Sequence, residues 1–428
     1  MNKTKEVFII GFALFSMFFG AGNLILPPSL GKSASDSWFL VTIGFFLTAV
    51  IIPFLGILAH AKLQGTMYDF GKKVAPLFST IYCIVVYIIS VALPAPRTAS
   101  VTHEMAIEPY FEINSLITSF IYFSLVFVFT LNRSKVLELL GKFLTPLIIF
   151  ILLAIIFIGI FNPPGNMIAS EFSTPLVSGI LEGYQTFDAI GAIVVGGVLV
   201  ISMNFKKDAS FKLKQRFITK AGIIAGLGLL IIYAGLIFNG ALFSGVFKKG
   251  ATRAEVLSSL SMQTLGNIGS TLLSVLVALA CFTTAVGIIT GTADYFKGLF
   301  KNSPRAYFIT ALVACILGVA MGQLDVHKII VVAIPALMFI YPITIMLIIL
   351  NVLPVKLASS LSFKLVIIIT FIFSIPDFLQ FFIDAETLAP IKNTIPLAQH
   401  HLGWVIPAFV VLVLVNIYEH LQPTKKLT

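Results

Sequence analysis

Read for hydrophobic and polar positions, the chain falls into long apolar stretches separated by short polar ones. Stretches without Asp, Glu, Lys or Arg cover 7–31, 37–61, 74–96, 113–132, 143–170, 189–205, 221–247, 256–293, 306–324, 329–355 and 393–418, and 365–383 is interrupted only by Asp377. A helix that crosses a bilayer needs about 20 predominantly apolar residues, and each stretch is near or above that length. None shows the period-two alternation in segments of about 10 residues that barrel strands require. The pattern therefore predicts an all-α polytopic membrane protein with about 12 transmembrane helices. Ser258, Ser259, Ser261, Gln263 and Asn267 dilute the start of 256–293, which reads as a polar loop before its span.

Composition removes the soluble alternative. The chain is 58% hydrophobic and 11% charged, where a soluble globular domain carries about 25% charged residues. Its net charge of +10 does not mark a nucleic-acid surface, because the basic residues sit in short clusters between apolar stretches, as in cytoplasmic loops. With the N-terminus placed inside and twelve spans alternating, only Lys32, Arg97, Lys248, Lys249, Arg253, Lys328 and Lys392 of the 28 basic residues fall outside. Glu104, Glu108, Glu112, Glu171 and Glu386 fall there too. Both termini are expected in the cytoplasm. The longer polar connections, 97–114, 162–182, 245–266 and 384–401, are then all external, each able to form a surface helix or a lid. Cys83, Cys281 and Cys315 lie inside apolar stretches and read as small buried hydrophobes, with no disulfide framework and no metal-ligand spacing among them or the histidines.

Three segments break the monotony. The first span carries Gly20, Gly22 and Asn23 near its middle, followed by Pro27 and Pro28. Small residues at this spacing suit either a close helix contact or an unwound turn, which membrane depth tolerates where backbone lines a cavity or is buried in protein. The sixth span carries Asp188 a third to halfway in, with Gly183 before it and Gly191 after. A carboxylate at that depth faces a cavity, or it caps a helix that starts in mid-membrane. In the eighth span Thr283 and Thr284 lie at the midpoint, level with both interruptions. Paired threonines often bond back to a preceding carbonyl; their oxygens also suit a monovalent cation such as sodium. A glycine-rich nucleotide loop and a His-Glu-x-x-His helix are both missing from the sequence, and the other apolar-stretch aspartates, Asp294 and Asp377, lie near a cytoplasmic end and in a peripheral span, so neither ATP-driven work nor intramembrane catalysis is expected.

Residues 1–62 with FFGAGNLILPP, LPAPRTASVTHE at 93–104 and GYQTFDAIGA at 183–192 resemble the bacterial branched-chain amino acid:cation symporters, the BrnQ-type carriers, over essentially the whole chain. That family is placed in the amino acid–polyamine–cation superfamily with its LeuT-type fold. The resemblance implies one transmembrane transporter domain over 1–428, built from five-helix repeats at 7–161 and 180–355, inverted with respect to each other. Helices 1 and 6 would be discontinuous, and two further helices would follow at 363–420. It implies a secondary transporter, not an enzyme, in the bacterial cytoplasmic membrane. Such a carrier would import leucine, isoleucine and valine with sodium; a proton as coupling ion and another neutral solute as substrate are the alternatives. No nucleotide, nucleic acid or obligatory protein partner is implied beyond the lipid bilayer.

Site residues follow from the same resemblance, residue by residue. The Gly-x-Gly-Asn segment is matched by Gly20, Ala21, Gly22 and Asn23, with amides of Ala21 and Gly22 expected to receive the substrate carboxylate. Carbonyls of Ser16 and Phe19 would face a sodium ion completed by Ala280, Thr283 and Thr284. Tyr184, Phe187, Asp188 and Ile190 of the sixth span, with aliphatic residues of the third, would form the substrate pocket. Asp188 stands where a small or hydroxyl residue is more usual, and Arg97 is the expected external gate.

Overall fold

The computed structural model describes residues 3–18, 20–132, 135–194, 196 and 211–421. Phe19 of the expected sodium site lies outside them, and the side chains of Ser16, Ala21 and Gly22 are not described. Every regular element among the described residues is helical. Helix α1 (Lys3–Phe18) and α2 (Ala21–Ala34) share the first span; α3 (Trp38–Phe46) runs through a π-type turn at Leu47–Ile51 into α4 (Ile52–Leu63). A short α5 (Met67–Gly71) precedes α6 (Pro76–Ala92) and α7 (Pro94–Thr102), which together make the third span. Then come α8 (Ser115–Asn132), α9 (Lys135–Phe161) and α10 (Pro175–Tyr184). The second half of the chain supplies α11 (Phe211–Leu242), α12 (Arg253–Leu299), α13 (Pro304–Gly322), α14 (Val326–Val352), α15 (Ser360–Leu379), α16 (Ala385–Thr394) and α17 (Val405–Leu421).

Nine helices among the described residues are long and apolar enough to cross a membrane. Three other expected spans, the first, the sixth and the last, are not among these nine. The first is broken at Gly20, the sixth is broken after Tyr184, and the last, α17, has 17 residues. The polar start of the eighth stretch is a correction: it is helix, not loop. Thr252 and Glu255 form a capping box there, with Glu255 N donating to Thr252 Oγ1 (3.2 Å) and Thr252 N to the Glu255 carboxylate (2.6 Å). The break between this outer segment and the span proper comes at Gly266, whose φ of 70° belongs to glycine.

The chain forms two compact units: residues 1–51, 87–187 and 221–333, and residues 52–86, 188–220 and 334–428. Glycines set the closest helix approaches in each. In the first unit a Cβ on Gly44 would lie 2.0 Å from the Leu176 carbonyl oxygen, and one on Gly179 would lie 2.2 Å from that of Val41, so α3 and α10 touch backbone to backbone. The hydroxyl of Thr48 adds a hydrogen bond to the Ile180 carbonyl (2.9 Å). The first span lies along α11 in the same manner: Gly31 abuts Ile237, Gly240 abuts Pro28, and Gly11 abuts Ile224. In the second unit, Gly56 of α4 abuts Ala192 and Gly196 abuts His60. The first span thus packs on the seventh, and the sixth on the second. Close approach without a Cβ is what such membrane interfaces select, because lipid offers no hydrophobic drive for helices to associate.

Candidate functional site

The first interruption is short. Helix α1 stops at Phe18, Gly20 is extended (φ −99°, ψ −179°), and α2 starts at Ala21. Helix α2 continues through Pro27 and Pro28. Gly20 is thus an extended residue between the two helices, and Ala21, Gly22 and Asn23 form the first turn of α2. First-turn amides have no intrahelical acceptor, so Ala21 and Gly22 keep donors available at the positive end of α2.

Asn23 holds this break. It is 2% exposed, and its side-chain amide donates to the Phe18 carbonyl (2.6 Å) and to the Tyr233 hydroxyl. One bond reaches back across the gap to the last turn of α1; the other ties it to α11. Gly20 N also donates to Phe18 O (2.9 Å), and Asn23 N to Gly20 O (3.1 Å). Tyr233 was missed in the sequence, although it lies at the middle of the 221–247 stretch, the same depth criterion that singled out the threonines.

Across from the break stand the threonines of α12. A Cβ built on Gly20 would sit 3.6 Å from Thr284 Cγ2 and 3.8 Å from its Oγ1, ordinary van der Waals contact. Thr283 and Thr284 are half-buried, and both hydroxyls donate to the Ala280 carbonyl (2.9 Å each). A hydroxyl that spends its proton on a carbonyl turns its lone pairs outward, so back-bonding leaves it able to ligate a cation. The Ala280 carbonyl, holding both protons, is open to a cation only if one hydroxyl turns away.

The second interruption follows α10. Gln185 and Thr186 form a turn, with Gln185 N donating to Glu182 O (3.0 Å) and Thr186 Oγ1 to Gly183 O (2.8 Å). Phe187 then takes a left-handed φ of 61°, and residues 188–194 are helical. A left-handed conformation at an aromatic residue costs roughly 1–3 kcal/mol and persists only where the surroundings impose it. Tyr184 and Phe187 are buried in the first unit. Asp188, 3% exposed, opens the inner half of the sixth span, so the carboxylate stands at a helix start, where the dipole favours it. Ile190 lies two residues on; both belong to the second unit.

Arg97, expected at the external gate, is 4% exposed on α7. Its Nη1 donates to the Gln185 carbonyl (2.8 Å), and its guanidinium carbon lies 5.3 Å from the Phe187 ring centre. Nearby, Arg253 at the start of α12 pairs with Glu182 on α10. Neither Gln185 nor this ion pair stood out in the sequence, since their roles depend on contacts between distant segments.

Interrupted first and sixth spans, with every regular element among the described residues helical, are the features of a LeuT-type fold. Solved structures agree on the fold. An inward-facing structure of Mhp1 aligns with a TM-score of 0.59 at 11% identity, over 97% of this chain and 90% of that one. MhsT in complex with L-phenylalanine aligns with a TM-score of 0.58 at 15% identity, over 95% and 98%. The family described as "Branched-chain amino acid transport protein" matches residues 3–422, and the chain belongs to it. The branched-chain amino acid permease BraB of Bacillus subtilis is 33% identical over 95% of this chain and 94% of its own length. The branched-chain amino acid transport system 2 carrier protein of Pseudomonas aeruginosa is 32% identical over 98% and 97%.

Proposed function

We propose that this protein is a secondary symporter that brings leucine, isoleucine and valine into a bacterial cell with sodium, by alternating access. Relatives similar along the whole chain are named for branched-chain substrates, which supports the substrate class. The observation that supports the coupling ion is the close approach of Thr284 to the Gly20 break, which brings a hydroxyl oxygen to the interruption of the first helix. Such a donor suits a singly charged hard cation better than a divalent one. The substrate carboxylate is assigned to the amides of Ala21 and Gly22, and its side chain to a pocket formed with Tyr184 and Phe187. The bias of basic residues places both termini in the cytoplasm.

A proton-coupled carrier is the second reading, and buried Asp188 is the observation that favours it, since a carboxylate at a helix break can carry a proton between the two faces. Purified protein in proteoliposomes separates the two. An inward sodium gradient at equal pH should drive leucine accumulation, and isoleucine and valine should compete. Accumulation that ignores sodium but follows an imposed pH gradient would establish the proton reading instead. Uptake of a different neutral solute with no competition from branched-chain amino acids would remove the substrate assignment.

A further inference from the structure

The turn between the two halves of the sixth span is gripped from one side chain. Arg97 donates to the carbonyl of Gln185 (2.8 Å) and lays its guanidinium against the ring of Phe187 (5.3 Å). These two residues flank Thr186, and Phe187 is the one with left-handed backbone. We infer that Arg97 is a positioning residue for the substrate pocket: it fixes the angle at which Phe187 presents its ring, and thereby tunes discrimination among branched side chains. The inference rests on the proposed function, which puts Phe187 in the pocket wall.

Three physical features make the arginine suited to this work. Its base is rigid. Residues 95–102 of α7 are all buried, Ser100 Oγ donates to the Leu324 carbonyl (2.7 Å), and the end of α13 presses on the same helix, where a Cβ on Gly322 would lie 3.2 Å from Ala99 Cβ. Its charge faces the right end of a helix, because the last carbonyls of α10 carry the negative pole and accept best from a cation. Its shape is planar, so it can donate in its own plane to a carbonyl while stacking its face on an aromatic ring. A lysine offers a point charge with no planar face, so one ammonium would have to serve both contacts. The Phe187 conformation, which the chain would not choose alone, is thus imposed by a side chain from another span.

A double-variant cycle tests the idea in proteoliposomes, with leucine uptake and competition by isoleucine and valine as the readout. Arg97→Lys, which keeps the charge but loses the planar face, should weaken leucine by about tenfold and should change the leucine-to-valine preference. In a Phe187→Leu background the same change should alter the preference by less than about twofold, because the ring through which Arg97 acts is gone. Phe187→Tyr, which keeps a face for the guanidinium, should restore the full response to Arg97→Lys. Effects of Arg97→Lys and Phe187→Leu that add independently, or a preference untouched by Arg97→Lys, would overturn the inference. Thermal unfolding of the same four proteins in detergent without substrate provides a second readout, and non-additive melting shifts are expected. Failure of the unmodified protein to take up leucine would count against the proposed function, while the melting cycle still decides whether Arg97 and Phe187 are coupled.

Discussion

The side-chain amide of Asn23 donates to the hydroxyl of Tyr233, joining the first turn of α2 to the middle of α11. The same amide reaches the carbonyl of Phe18, so one buried group spans the break in the first helix and anchors it to a neighbour. A break at membrane depth exposes backbone groups that lipid cannot satisfy, and Asn23 supplies part of what the missing helical turn would have given.

Tyr233→Phe should therefore destabilise the protein, because it removes an acceptor from a buried amide while changing almost no volume. The cost is expected at about 1–3 kcal/mol, read as a lower melting temperature in detergent. Leucine uptake should show a higher half-saturating concentration as the break loosens. An unchanged melting curve together with unchanged uptake would mean that the tyrosine is a bystander.

Thr284→Ala removes one oxygen opposite the Gly20 break, and a tenfold rise in the half-saturating sodium concentration, about 1.4 kcal/mol, is expected in uptake assays. Thr284→Ser retains the hydroxyl and should stay close to the unmodified protein. Equal sodium dependence in all three proteins would remove Thr284 from the ion site.

Gly22→Val addresses the substrate carboxylate. Gly22 lies in the first turn of α2, and a branched side chain there crowds the approach to its own amide and to that of Ala21. The variant should remain monodisperse and bind leucine at least about tenfold more weakly, measured by equilibrium binding of labelled leucine. Normal binding would show that the carboxylate goes elsewhere, and a variant that does not fold would favour a packing role for this glycine.

Gly44 and Gly287 form a contrasting pair. A Cβ at Gly44 would meet the Leu176 carbonyl oxygen at 2.0 Å, whereas one at Gly287 meets nothing within 4 Å. Gly44→Ala should push α3 from α10 and cost at least the roughly 1–3 kcal/mol of overpacking, with a marked loss of monodisperse protein on size exclusion. Gly287→Ala sits in a helix interior and should be neutral or slightly stabilising. Similar yields and melting curves for both would show that the α3–α10 contact yields easily.

The alternation of long apolar stretches with basic clusters was enough to determine an all-helical membrane chain, because hydrocarbon admits only elements that satisfy their own backbone. Depth alone then marked Gly20, Asp188 and Thr284, since glycine, carboxylate and hydroxyl at mid-membrane are each costly without a local reason. What the sequence misjudged was local. The polar start of the eighth stretch hid a capped helix. Tertiary structure alone decided the partners: Tyr233 for Asn23, Gln185 and Phe187 for Arg97, and Thr284 for Gly20. Hydropathy reports how deep a residue lies and carries no record of azimuth, the direction in which a side chain leaves its helix. Those pairings exist only once helices distant in sequence pack side by side.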